Sequence, residues 1–386
     1  MPGLVIKPRS RIFHGHDWVY SSEVKKAFGD PQPGDVISLK DFKDKPLGSA
    51  IYNPHSQIVA RRFSRRKQEL DQEFFLRRLK LALALRERLP VDSELCRLAW
   101  SESDGLPGVI VDRYHGHLVL QTLTLAMDQR IELIANALRE LLDPQTIVLR
   151  NDSPMRKAEG LEPAISLLHG SDPDPIQVET GGLRFEVALL SGQKTGLYLD
   201  QLDAYSRVAA LAGGKRVLDC FSNQGGFGLA CAQAGAASVT CVDISAEAIA
   251  AVNTNATLNN LEINTVEANA FDFLRACEDH YDLIILDPPS FTRSKKALGD
   301  AMRGYKEIHL RALKLLDHDG YLTTFSCSHH VTRELFLSNV RDAAVDARRT
   351  LRLVESHAQR SDHPILPTIP ETEYLKGFTF QLLPGR

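Results

Sequence analysis

The chain has 386 residues, of which 43% are hydrophobic and 25% are charged, a composition that excludes a disordered or fibrous protein and predicts two or three globular domains. Its six cysteines form no CxxC pair, which argues against a zinc ribbon or a disulfide framework and favours reduced thiols in a cytoplasmic protein. Since no apolar run reaches the roughly 18 residues of a membrane helix, we expect no membrane partner, and we expect no bound metal.

The charge is unevenly distributed along the chain. Residues 1–90 carry 18 Lys and Arg against 10 Asp and Glu, a balance of +8; the whole chain has a formal net charge of −3, so the remainder sums to −11. A basic module on an acidic body suggests a polyanionic partner, although a solvated basic face would give the same balance.

Residues 1–70 show short strands separated by Pro/Gly turns, such as "VISLKD" and "QIVARRFS", which predicts a small β-barrel or sandwich domain. The segment "RRFSRRKQ" closes this domain with five basic residues and one Phe. Such a strand suits phosphates and stacked bases, with a charged domain edge as the alternative. The predicted RNA contacts here are Arg61, Arg62, Arg65 and Arg66.

Residues 71–180 are predicted to form an α+β domain. An amphipathic helix over 71–89, with Asp71 placed to cap it, precedes the strands "GVIVDRY", "HLVLQTL" and "TIVLRND" and a helix near 128–142. The Pro- and Asp-rich segment 169–177 is a linker candidate. From about residue 200 onward, helix and strand patterns alternate, which predicts an α/β fold over 181–386: a Rossmann-like domain with a mostly parallel sheet.

The stretch "RVLDCFSNQGGFGLACAQAG" combines a strand, a glycine loop and an Ala-rich helix, as cofactor sites do. A dinucleotide fingerprint begins its glycines directly after the strand, whereas here Asp219 closes the strand and five residues separate it from Gly225. An acid at that point repels pyrophosphate but can accept from an ammonium group. The loop therefore favours S-adenosylmethionine as the cofactor.

The following strand ends extend the predicted cofactor site. Asp243 ends "SVTCVD", where an acid can accept both ribose hydroxyls, and Asn269 and Phe271 follow the third strand as a shelf for adenine. "YDLIILDPPSF" presents Asp287 beside the methyl donor on a rigid Pro-Pro turn, with Phe291 placed to pack on a flat substrate. From these loops we assign the following residues to cofactor binding: Asp219, Phe221, Asn223, Gly225, Gly226, Asp243, Ile244, Asn269, Ala270 and Asp287.

Eight motifs along the chain belong together: "HDWVYSSEV", "LGSAIYNPHSQIVAR", "ESDGLPGVIVDRY", "RNDSPMRKAEGLE", "GQKTGLYLDQ", "LDPPSF", "RGYKEIHLRALKLL" and "FSCS". In this order they resemble the bacterial PUA-domain-containing cytosine-5 methyltransferases of large-subunit ribosomal RNA. The resemblance spans almost the whole chain. It implies an RNA-binding PUA domain, a small α+β middle domain and a class I methyltransferase domain. It further implies methyl transfer from S-adenosylmethionine to C5 of a cytosine in 23S ribosomal RNA, and places Tyr198 and Gln201 at the cofactor.

Cytosine-5 transfer needs a thiolate that adds to C6, because C5 is otherwise a poor nucleophile. Cys327 ends the predicted fifth strand, "GYLTTFSC", on the same rim as Asp287, and these two are the predicted catalytic residues. The alternatives for Cys327 are an inert buried thiol, as expected for Cys220, Cys231, Cys241 and Cys277, and a metal ligand. The base that removes the C5 proton is left open among His329, His330 and ordered water.

Between the fourth and fifth strands, Arg303, Tyr305 and Lys306 are predicted to contact RNA together with Phe291, and capping of the next helix is the alternative. Two rival functions remain: an exocyclic-amine RNA methyltransferase of the same fold, and a non-catalytic RNA-binding or ribosome assembly factor. The sequence leaves open whether the chain is a monomer or a homodimer.

Overall fold

A computed structural model describes residues 1–192, 196–292 and 295–384. The chain divides into two compact units: the first comprises Met1–Ile176, Val187–Leu199 and Ser361–Thr372, and the second comprises Gln177–Glu186, Asp200–Arg360 and Glu373–Arg386. Among the described residues, no helix has both the length and the hydropathy that a membrane span requires.

The first unit opens with a six-stranded sheet in the order β2-β6-β5-β4-β1-β3. Its alternating apolar side chains, among them Ile37 and Leu39 on the fourth strand, form the buried core of this sheet. The predicted fold of a small β domain is therefore confirmed. The strands are β1 (Gly3–Ile6), β2 (Trp18–Tyr20), β3 (Val24–Phe28), β4 (Val36–Lys40), β5 (Pro46–Tyr52) and β6 (Ile58–Ser64).

A second sheet of the first unit has five strands, in the order β11-β10-β9-β8-β7, with three helices. Asp71 caps the first helix as predicted, since its Oδ1 accepts from the Phe74 amide at 2.8 Å. The helix predicted near 128–142 spans Ile131–Leu142, and a short helix over Leu125–Asp128 precedes it. The elements are α1 (Gln72–Arg86), β7 (Leu95–Trp100), β8 (Val109–Tyr114), β9 (His117–Thr122), α2 (Leu125–Asp128), α3 (Ile131–Leu142), β10 (Thr146–Asn151) and β11 (Ala164–His169).

A buried ion pair fixes the end of α1. Arg86 is fully buried, and its guanidinium donates to both carboxylate oxygens of Asp104, at 2.6 and 2.9 Å. It also donates to the main-chain oxygens of Arg97 and Asp362, both at 2.8 Å. The guanidinium is thus satisfied on several sides, as a buried charge requires.

Replacing Arg86 by alanine is expected to destabilise the first unit by about 3–5 kcal/mol, because the Asp104 carboxylate would stay buried without its cation. Urea unfolding of the full chain measures the loss. The matched control is Arg77→Ala on the same helix, whose exposed side chain should change stability by less than about 0.5 kcal/mol. Equal losses in the two variants would contradict this assignment.

The second unit is a seven-stranded sheet in the order β16-β15-β14-β17-β18-β20-β19, preceded by a hairpin of β12 and β13. The first five strands run parallel, and β20 lies antiparallel between β18 and β19. The predicted Rossmann-like fold is confirmed. The strands are β12 (Ile176–Thr180), β13 (Leu183–Val187), β14 (Arg216–Cys220), β15 (Ser238–Asp243), β16 (Asn264–Glu267), β17 (Tyr281–Leu286), β18 (Leu316–Ser326), β19 (Thr350–Ala358) and β20 (Lys376–Leu383).

Within the described residues of this unit, six helices accompany the sheet. They are α4 (Leu202–Ala209), α5 (Gly226–Gln233), α6 (Ala246–Leu258), α7 (Ala270–Ala276), α8 (Leu298–Leu315) and α9 (Arg333–Asp346). The strand order reverses at β14, which lies between β15 and β17. In such sheets ligands bind outside the carboxyl ends of the strands at this reversal, so the loops after β14, β15, β17 and β18 form the candidate site.

Candidate active site

The loop between β14 and α5 has a strained backbone. Phe221, Asn223 and Gly225 have φ angles of 64°, 49° and 83°, a left-handed conformation that non-glycine residues rarely adopt. At Gly228, a Cβ atom would lie 2.4 Å from Cys241 Sγ, so glycine allows α5 to lie close against the sheet. The loop thus turns sharply and brings the start of α5 to the edge of the sheet where the parallel strands end, which we call the rim. The strand itself runs one residue further than predicted, to Cys220.

Three carboxylates lie at or next to the carboxyl ends of strands at this rim. Asp219 is 1% exposed, and its Oδ2 accepts from the Gly228 amide at 2.9 Å. Its Oδ1 is buried and has no hydrogen-bond partner among the residues that the structure describes. The Asp243 oxygens accept from the amides of Asn223 and Ser245, both at 3.0 Å. Burial, reinforced by the nearby charges of Asp287 and Asp243, raises the pKa of Asp219 to about 8. A cationic ligand would relieve this repulsion.

The raised pKa of Asp219 makes stability depend on pH. A neutral Asp219 stabilises the fold fully below about pH 4, the ordinary range of the carboxyl, and this contribution is lost as pH rises through about 8. We expect Asp219→Asn, which stays neutral, to be more stable than the wild type by at least about 2 kcal/mol at pH 8.

Thermal unfolding of the ligand-free proteins between pH 5 and 8.5 measures this gap, which should narrow toward pH 5. Asp279→Asn, at an exposed position, is the control and should show no such trend. A gap that is constant with pH would show that Asp219 is already ionised in the fold.

Asp287 follows β17 directly, and its Oδ2 accepts from the side-chain amide of Gln201 at 3.1 Å. Gln201 is 2% exposed, and its own Oε1 is buried with no hydrogen-bond partner in the described part of the chain. Asp219 and Gln201, two of the predicted cofactor residues, therefore offer two buried acceptor oxygens, which suit the ammonium group of a ligand.

The next loops supply apolar and amide groups. Asn269 caps α7 by accepting from the Phe271 amide at 2.9 Å, and Ala270 is buried behind it. Ile244, beside Asp243, is 68% exposed although it is a large apolar residue. An exposed isoleucine can pack on the face of a flat aromatic base, and a loop amide can hydrogen-bond to its edge.

Cys327 follows β18, which ends at Ser326, one residue earlier than predicted. Its side chain is half-buried, whereas Cys220, Cys231 and Cys241 are fully buried. Burial raises the pKa of these three thiols, so they resist ionisation. Cys327 lies on the rim where the carboxylates lie, and it is more accessible than these three cysteines. A nucleophilic thiol must be accessible in this way.

A network of hydroxyl groups fixes the turn that carries Cys327. The buried Tyr305 hydroxyl lies 2.9 Å from Ser326 Oγ and 3.1 Å from Ser328 Oγ. Ser328 Oγ also lies 3.0 Å from Ser290 Oγ, in the turn after β17. The turns of Cys327 and Asp287 are therefore tied together. Sequence reasoning missed the three serines, which lie in the quoted motifs but signal no role by themselves.

Four residues were predicted to contact substrate around α8, and they differ in exposure. Tyr305 is fully buried, so the interpretation changes: it supports the Cys327 turn rather than reaching RNA. Phe291 is half-buried, with its ring 4.6 Å from that of Tyr305. Arg303 is exposed beside Asp300, and Lys306 pairs with Asp346 at 2.7 Å.

The four arginines of the first unit that were predicted to contact RNA fall into two pairs with different surroundings. Arg61 pairs with Glu102 at 2.7 Å and lies over the Trp18 ring, and the buried Arg62 pairs with Asp17 at 2.7 Å. These ion pairs neutralise two predicted RNA contacts, which we reassign as structural. Arg65 and Arg66 are exposed and line a groove of about 520 Å³.

Two predicted cofactor residues remain: Gly226 is the first residue of α5, and Tyr198 belongs to the first unit. Residues 193–195 of its motif "GQKTGLYLDQ" lie outside the described residues. Sequence reasoning also missed Lys376, which begins β20 and is buried. The signal that could have found it is a lysine at the head of the apolar strand "KGFTFQLL".

Comparisons with known proteins agree with this architecture. The profile of a PUA-like domain matches residues 7–65, and that of the S-adenosylmethionine-dependent methyltransferases matches residues 157–380. Ribosomal RNA large subunit methyltransferase I of Vibrio vulnificus (strain CMCP6) is 37% identical over 391 residues, covering 98% of both chains. Its namesake from Vibrio parahaemolyticus serotype O3:K6 (strain RIMD 2210633) is 38% identical with the same coverage.

Solved structures share the fold along nearly the whole chain. A Streptococcus mutans protein assigned as a SAM-dependent methyltransferase has a TM-score of 0.85 at 21% identity, covering 99% of this chain and 100% of that one. A methyltransferase complexed with SAH has a TM-score of 0.84 at 22% identity, with the same coverage. At these identities the likeness shows the fold.

Proposed function

Because the chain belongs to the S-adenosylmethionine-dependent methyltransferases, within the family of the ribosomal RNA large subunit methyltransferases I, we propose that it methylates C5 of a cytosine in large-subunit ribosomal RNA through a covalent bond between Cys327 and C6. The observation that carries this proposal is the half-buried thiol of Cys327 beside the carboxylate rim. An exocyclic-amine transfer would need no thiol there.

The residues at the rim fit S-adenosylmethionine. The buried Oδ1 of Asp219 and Oε1 of Gln201 would accept from its ammonium group. Asp243, whose oxygens accept from two loop amides, would also accept from the ribose hydroxyls. Ile244 and the Asn269–Ala270 turn would take the adenine. When bound, the cofactor supplies an electrophilic methyl group on a sulfonium sulfur.

Cys327 and Asp287 act on different atoms of the cytosine. The Cys327 thiolate forms a bond to C6, which moves electron density to C5 and makes that carbon nucleophilic. Asp287 accepts a hydrogen bond from the exocyclic amine and, once it carries a proton, donates to N3, which stabilises the negative charge that develops on the ring. Once C5 is methylated, its proton is removed and the bond between Cys327 and C6 breaks, which restores the thiolate. The candidate proton acceptors are His329, His330 and ordered water.

The RNA is expected to reach this site as a single strand or loop, because the cytosine must leave its stack to enter the pocket. Arg65 and Arg66 in the groove of the first unit are the proposed phosphate contacts there, and Arg303 is the proposed contact on α8. Phe291, half-buried against Tyr305, is the proposed stacking partner of the base.

The test is methylation of large-subunit ribosomal RNA from a strain lacking this protein, followed by nucleoside mass spectrometry. We expect the purified enzyme to add one 5-methylcytidine. A product methylated on an exocyclic amine would replace the proposal with the rival reaction. RNA binding without methylation would favour an assembly factor.

A further inference from the structure

A buried lysine lies at the sheet rim beside Cys327. Lys376 begins β20, where its Cα pairs with that of Ser326 at the end of β18, and the residue is 3% exposed. Its Nζ donates to the main-chain oxygens of Ser328 and Tyr374, each at 2.8 Å. Since Ser328 directly follows Cys327, the lysine is tied to the turn that carries the thiol.

Among the residues that the structure describes, no carboxylate forms an ion pair with Lys376, whose polar contacts are the two carbonyl oxygens. The nearby Glu373 pairs instead with Arg333, at 3.4 Å. Burial lowers the pKa of Lys376 to about 8, and of the charges that raise it, the Cys327 thiolate acts more strongly than Glu373. Buried cations need an opposite charge. Because the carbonyl that Nζ contacts belongs to Ser328, the residue directly after Cys327, the thiolate is placed to supply that charge.

We propose that Lys376 is a positioning residue that keeps Cys327 in its thiolate form near neutral pH. Only the S–H bond of Cys327 breaks, its proton leaves to water, and the sulfur anion is stabilised by the ammonium group across the rigid turn. The importance of this effect for methyl transfer rests on the proposed function, whereas its effect on the thiol does not.

The surroundings of Cys327 explain why such a cation is needed. The negative charges of Cys327 and Asp287 both act on the Tyr305 hydroxyl, so they lie in one neighbourhood and Asp287 opposes the thiolate. Tyr305 stays neutral, because burial raises its pKa to about 12. The titratable and charged groups that surround the pair are Asp287, Tyr305, His329, His330, Arg333, Glu373 and Tyr374.

The direct test is the rate of Cys327 alkylation by iodoacetamide between pH 5.5 and 10, in the full chain without RNA and followed by peptide mass spectrometry. In the wild type we expect half-maximal reaction about one pH unit or more below the value of about 8.5 for a free cysteine. Lys376→Met should raise this midpoint by at least about one pH unit, and Lys376→Arg should leave it near the wild-type value. Cys277, also half-buried, is the internal reference.

An unchanged midpoint in Lys376→Met would overturn the proposal. If that variant does not fold, the wild type alone decides: half-maximal alkylation of Cys327 at or above about pH 8.5 would also overturn the proposal. In methyl transfer, Lys376→Met should lose at least about tenfold in rate at pH 7 and recover toward pH 9, whereas an equal loss at every pH would indicate a merely structural lysine. A shifted alkylation midpoint in an enzyme that makes no 5-methylcytidine would reject the proposed function and leave the role of Lys376 standing.

Discussion

Replacing Cys327 by alanine is expected to lower the rate of RNA methylation by at least about 10⁴-fold, because the variant lacks the nucleophile that activates C5. Binding of S-adenosylmethionine should change little, since the carboxylates that would hold it, Asp219 and Asp243, keep their contacts with the loop amides. Single-turnover transfer of a radiolabelled methyl group to ribosomal RNA measures the rate, and calorimetry measures the cofactor affinity.

The matched control for this variant is Cys277→Ala, because Cys277 is equally half-buried but follows α7 instead of a rim strand. It should retain the wild-type rate within about twofold. Full activity of Cys327→Ala would exclude the covalent mechanism and favour transfer to an exocyclic amine, which needs no thiol.

Asp287→Asn is expected to lower the single-turnover rate by about 10²–10⁴-fold, the range for loss of a group that handles charge or protons in the transition state. The amide keeps the shape of the side chain but cannot deliver a proton to N3, and only one of its two outer atoms accepts. Because Asp287 also borders the cofactor site, we expect some weakening of S-adenosylmethionine binding, by less than about tenfold.

The control for Asp287 lies on the same strand. Asp282 is near the opposite end of β17, where it pairs with Arg216 at the surface, so Asp282→Asn should leave the rate within about twofold of the wild type. A loss in Asp287→Asn that appears entirely as weaker cofactor binding would assign the residue to the cofactor and not to catalysis.

Most of the fold could be predicted because its elements repeat short physical patterns. Buried parallel strands such as Tyr281–Leu286 are continuous apolar runs, and Asp71 is a capping residue at the start of an amphipathic helix. The last part of the sheet was harder to predict. β20 inserts between β18 and β19 as an antiparallel strand, and neither its partner nor its direction is encoded in its own residues.

The same limit applies to individual side chains. Asp219, Asp243, Asp287 and Cys327 were predicted to share a rim because each stands at or next to the carboxyl end of a predicted strand, and parallel strands bring those ends together. Nothing in the sequence indicates that Arg61 forms an ion pair with Glu102, which lies 41 positions later. The two arginine pairs of "RRFSRR" therefore looked equivalent, although only Arg65 and Arg66 are exposed.

The covalent bond between Cys327 and the base can be trapped with ribosomal RNA that contains 5-fluorocytidine at the target position. Fluorine cannot leave C5 as a proton does, so the enzyme should stop after methyl transfer with Cys327 bonded to C6. In the presence of S-adenosylmethionine, we expect a complex that survives denaturation, with the RNA attached to the peptide containing Cys327 and no complex formed by Cys327→Ala. If ordinary RNA is methylated but the fluorinated RNA forms no such complex, the mechanism does not pass through Cys327.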